Sequence, residues 1–120
     1  MVAPVRAGRR RRLGQAAGAS MTRYVIADAA AYVLDSDPAG DPIAYAARMP
    51  SGDIRLLEGS AGLLWHTVVD RAGAGGVSAD EILAVITAEA EIEPDELAGV
   101  VAGVADFLRA MVGEGLIVTR

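Results

Sequence analysis

The spacing of apolar residues changes near residue 58, and this change limits the fold more than any other feature of the chain. Before it, Tyr24–Ala27, Ala31–Asp35, Ile43–Arg48 and Asp53–Leu57 are short apolar runs rich in Tyr, Val, Ile and Leu. Runs of that length read as strands. SDPAGDP (Ser36–Pro42) and Met49-Pro50-Ser51-Gly52 separate them with dense turn chemistry, Pro50 presetting φ at the second turn position. After residue 58 the apolar residues recur at three- and four-residue spacing. Leu63, Leu64, Trp65, Val68 and Val69 predict a helix over Ala61–Arg71 with Ser60 as its cap, ended by AGAGG (Ala72–Gly76). Ser78-Ala79-Asp80-Glu81 is a capping box, and Ile82, Leu83, Val85 and Ile86 carry a second helix to about Ala90. Pro94 suits a first helical turn, with Glu93, Asp95 and Glu96 well placed against the helix dipole. This third helix runs through Leu97, Val101, Val104, Leu108 and Met111 to about Val112, and Leu116–Val118 returns to the core. The expected order is βββααα, an α+β domain with a three-stranded antiparallel sheet followed by three helices.

A chain of 120 residues suffices for one domain. With one Trp, one Phe and three Tyr, its core must be built from Ala, Val, Leu and Ile. Cysteine is absent, which removes disulfides, thiolate metal sites and thiol nucleophiles and suits a reducing cytoplasm. The formal charge of −5 is unevenly placed: Arg6, Arg9, Arg10, Arg11 and Arg12 crowd the first twenty residues, leaving 6 basic against 16 acidic residues from Met21 onward. So acidic a body repels phosphate backbones, which argues against nucleic acid as a partner. Residues 1–20 lack a hydrophobic period and an apolar run after the arginines, so they read as a disordered basic tail or a misassigned start, with the domain at 21–120. A nucleic-acid-binding or membrane-surface arm is the sharper alternative for that tail. The longest uncharged stretch, Gly59–Val69, falls well short of the roughly 20 residues that span a bilayer, so no membrane partner is expected.

Catalytic constellations fail on inventory. His66 is the single histidine, set between Trp65 and Thr67 on an amphipathic helix, and reads as a solvated or half-buried helix residue. No GxxxxGK is present, and AGAGG follows a helix rather than a strand, so it reads as a linker. EAEIEPDE (Glu89–Glu96) lacks the alternating ligands and central glycine of a calcium loop. Asp35, Asp37 and Asp41 flank prolines in a turn, and no lysine exists for Schiff-base chemistry. The expectation is a protein without catalytic residues, metal or cofactor.

The stretch Leu57-Glu58-Gly59-Ser60-Ala61-Gly62-Leu63-Leu64-Trp65 resembles the signature of the PqqD family, in which Leu-Asn, a small hydroxyl residue with Ala, and an aliphatic-Trp pair follow the third strand. Val77–Leu83 is similar to the family's second-helix start, and Val104, Phe107, Leu108, Met111 and Gly115-Leu116-Ile117 to its closing pattern. The resemblance covers roughly Asp53–Val118. Two positions depart from it: Glu58 stands where the family usually has Asn, and Gly103 where Asp commonly precedes the valine. They point to a divergent relative serving a peptide pathway other than that of the quinone cofactor. The resemblance implies a winged-helix-like leader-peptide recognition domain of the kind serving ribosomally made, modified peptides. Such a domain takes the precursor's leader as an added strand beside the third strand, against the third helix. It then presents the peptide to a partner such as a radical SAM enzyme, a protease or a cyclase.

Strand addition suits an edge such as Asp53–Leu57, which must be covered or used. Alternation puts Ile54 and Leu56 on one face, Arg55 and Leu57 on the other, and leaves open which face meets the core. On the third helix Val101, Ala105, Leu108 and Val112 follow i, i+4, i+7, i+11, and the small Ala105 leaves room for an incoming side chain. Arg55 and Arg109 are scarce cations able to select leader carboxylates. Ordinary core or surface roles stay open for each of these residues. Two rival readings also stay open: a winged-helix DNA-binding regulator, whose recognition helix should be basic, and a structural adaptor that docks a partner enzyme without touching its substrate.

Overall fold

A computed structural model describes residues 22–120 of the chain. The tail reading for residues 1–20 lies outside the described residues. The strands are β1 Tyr24–Ile26, β2 Ala30–Ser36, β3 Pro42–Arg48 and β4 Arg55–Leu57; the helices α1 Ser60–Ala72, α2 Ala79–Glu89 and α3 Leu97–Gly113 follow, and β5 Ile117–Thr119 closes the chain. The fold is α+β with three helices, and the main strands precede them.

Two antiparallel sheets replace the single one expected. β2, β3 and β4 form a three-stranded meander, with Val33 opposite Tyr45 and Tyr45 opposite Leu56. β1 instead pairs with β5, Val25 opposite Val118, and exchanges two backbone hydrogen bonds with Val77 at 2.8 and 2.9 Å. Both edges of the three-stranded sheet are unpaired among the described residues.

Helix α1 lies across the inner face of this sheet. The sequence puts a cap at Ser60, but Gly59 occupies the N-cap with φ 62°, and Ser60 is already helical. The chain leaves β4 through a left-handed conformation that glycine takes most readily, which shifts the start by one residue. Gly62, one turn in, brings α1 against the strands: a Cβ there would collide with the Pro42 carbonyl oxygen and lie 2.9 Å from that of Leu57. His66 is half-buried, its Nε2 2.7 Å from the Ile43 carbonyl oxygen, so Nε2–H donates and ties α1 to β3. Trp65 is fully buried and meets Tyr32 edge-to-face at 5.8 Å. Around it Leu57, Leu64, Val68, Ile82, Val104, Phe107, Leu108, Met111, Leu116 and Ile117 form one core.

Helix α2 begins with the expected capping box. The Ser78 hydroxyl accepts from the Glu81 N–H at 3.1 Å, and the Glu81 carboxylate accepts from the Ser78 N–H at 2.9 Å. Arg23 adds an ion pair to Glu81 at 2.8 Å. The Glu81 carboxyl is held below the usual carboxylate range, mainly by the Ser78 backbone N–H and then by Arg23. Its stabilisation is complete above the ordinary carboxylate pKa of about 4.3 and drains away as pH falls through the depressed value. Glu81→Gln is therefore expected to lower the melting temperature at neutral pH, with the gap from wild type closing in acid. Thermal melts across that range check this, and a gap independent of pH contradicts it.

Helix α3 starts later than the sequence suggests. Pro94 sits in a turn, and Leu97 is the first helical residue behind an uncapped Glu96. No helix among the described residues is long and apolar enough to cross a membrane.

Candidate functional site

Strand β4 is short, lies at an edge, and is differently exposed on its two faces. Leu57 points inward and is 4% exposed, whereas Leu56 points outward beside Tyr45 and Val33, and Ile54 just before the strand is 74% exposed. Arg55 shares the inner face with Leu57 but lies beyond the core, where its guanidinium pairs with the Glu114 carboxylate at the end of α3. This contact sets the C-terminal end of α3 beside the start of β4. A hollow of about 250 Å³ opens there, lined by Arg48, Gly52, Asp53, Arg55, Glu114 and Leu116. Arg48 lies against Gly115 and forms no ion pair among the described residues.

The other end of the same helix approaches the start of α1. An apolar pocket of about 330 Å³ lies there among Ser60, Leu63, Leu64, Ile86, Val100 and Val104, with Gly99, Gly103 and Glu96 completing its wall. At 3.6 residues per turn, Gly99, Gly103, Phe107, Ala110 and Glu114 share one side of α3. Helix α3 thus runs antiparallel to the β4–α1 segment. A charged hollow marks one end of that boundary and an apolar pocket the other.

The residues singled out from sequence fall into separate places. Ile54, Arg55 and Leu56 stand together at the β4 edge and are exposed. Leu57 and Leu108 belong to the core, Leu108 at 2% exposure. Val101, Ala105 and Val112 are exposed, but they lie roughly half a turn around α3 from the Gly99–Gly103 side and are not brought to the groove. Arg109 pairs with Asp106 of its own helix at 2.8 Å. The sequence reading missed Gly99, Gly103, Glu114, Ser60 and Leu63. The four-residue spacing of Gly99 and Gly103 within a helical segment was the available signal.

A third hollow, of about 410 Å³, lies below the opposite sheet edge, between Leu34 of β2 and His66, Asp70, Arg71, Val85 and Glu89 of the helices. Among the described residues nothing covers the outer sheet face along the row Val33, Tyr45 and Leu56, an apolar patch of the sort that marks contact surfaces. Among the described residues no group of three His, Cys, Asp or Glu is placed to hold a metal ion. Compared with protein-family models, with curated proteins and with solved structures, this chain matches none.

Proposed function

We propose that this domain is a non-catalytic, cytoplasmic peptide chaperone of the PqqD-like, winged-helix-like kind. It captures the leader of a precursor peptide as a strand added to β4 and presents it to a modifying enzyme such as a radical SAM enzyme, a protease or a cyclase. The observation that supports this reading is the β4 edge, unpaired among the described residues and tied through Arg55 to the C-terminal end of α3, with a charged hollow at that contact and an apolar pocket where α3 passes the start of α1. Backbone groups on such an edge accept almost any extended sequence, and the flanking hollows add selection. The helices also favour a peptide over DNA, since α2 carries Asp80, Glu81 and Glu89 and no base.

The magnitudes say where the affinity must come from. Backbone hydrogen bonds along a three-residue strand contribute about 1 kcal/mol each. Micromolar binding needs about 8 kcal/mol net of the association penalty. Side chains seated in the hollows therefore supply most of the binding. Calorimetric titration of the protein with synthetic leaders from short reading frames neighbouring its gene tests the reading. Micromolar or tighter binding is expected for one of them; no binding by any of them overturns it in favour of an adaptor.

A further inference from the structure

The two hollows differ in chemistry, and the protein fixes the distance between them. Gly103 to Glu114 spans eleven helical residues, about 16 Å at 1.5 Å per residue. On the facing side only Arg55–Leu57 is strand, and Gly59 turns the chain into α1 at Ser60. An added strand covers the helical length in roughly four to six residues, and only the even spacings put both side chains on one face.

At one end, nothing lies within 4 Å of a Cβ added at Gly99 or Gly103. Glycine is unfavourable inside a helix relative to alanine, and the fold's own packing does not require it at either position. The open space above them is walled by Leu63, Leu64, Ile86, Val100 and Val104, with Glu96 opposing any anionic occupant. At the other end, Arg48 lines the hollow without an ion-pair partner among the described residues, and the one ion pair Arg55 makes among them is with Glu114, a half-buried carboxylate that an incoming one can replace.

Resting on the peptide-capture reading, we infer that the ligands of this groove are peptides bearing an apolar side chain and a carboxylate four or six residues apart, the spacings that place both on the helix-facing side of an added strand. The apolar side chain seats over Gly99 and Gly103. The carboxylate takes the place of Glu114 between Arg48 and Arg55.

Selection from a displayed library of random twelve-residue peptides on the immobilised full chain tests this. The enriched sequences are expected to share an apolar residue and an Asp or Glu four or six positions apart. Amidating that acid in a synthetic peptide should weaken binding at least tenfold. Gly103→Leu should erase the apolar preference by filling the pocket, with Gly99→Leu replacing it if the first variant melts early. Arg55→Glu should exchange the acid for Lys or Arg. Enrichment without the spaced pair, or with a pair indifferent to both variants, overturns the inference while leaving peptide capture standing. No enrichment over bare support overturns both.

Discussion

Replacing Trp65 with alanine is expected to remove about 3–5 kcal/mol of stability, the range for deleting a large buried aromatic. A domain of this size holds only about 5–15 kcal/mol in total, so the loss is a large share of its stability. Trp65 is fully buried beneath the edge strand β2, in edge contact with Tyr32, and helps join α1 to the shared core. Its indole N–H is buried without a hydrogen-bond partner among the described residues, so Trp65→Phe removes an unpaired donor along with part of the ring. Phenylalanine should therefore cost far less than alanine. Thermal melts decide: a fall of at least roughly 12 °C is expected for alanine, and equal falls for both variants would contradict this account of the core.

The same substitution should have opposite signs in two helices. Gly62→Ala drives a methyl group into the Pro42 carbonyl and against that of Leu57, neither of which can swing aside as a side-chain end does. The α1–sheet contact must open, at about 3 kcal/mol or more, the upper end of overpacking costs. Gly103→Ala meets nothing within 4 Å, and replacing a helical glycine gains up to about 1 kcal/mol. Denaturant unfolding of the two variants checks the pair. Stabilisation by Gly62→Ala would contradict the packing of α1 on β3 and β4.

What the sequence revealed was set by local chemistry. The Ser78–Glu81 capping box lies within four consecutive residues, and its hydrogen bonds form as the pattern requires. The β2–β3–β4 meander is likewise legible, because tight turn segments separate its strands. The β1–β5 pair is not: it joins Tyr24 to Thr119 through two three-residue strands too short to carry a pattern. Helix α3 misled for a different reason. Leu97, Val100, Val101, Val104, Ala105, Leu108 and Val112 spread apolar residues around much of its circumference, so periodicity fixed the helix but not which flank lines a pocket. The flank that lines the apolar pocket beside α1 is marked by Gly99 and Gly103, which have no side chains for a hydrophobic pattern to register.

Amide hydrogen exchange of the isotopically labelled protein, read by NMR with and without a bound peptide, tests strand capture most directly. The account predicts new protection among Ile54–Leu57, together with cross-strand contacts from peptide backbone to β4. Protection confined to the Ala30–Ser36 edge, or none in any strand despite saturated binding, would contradict it.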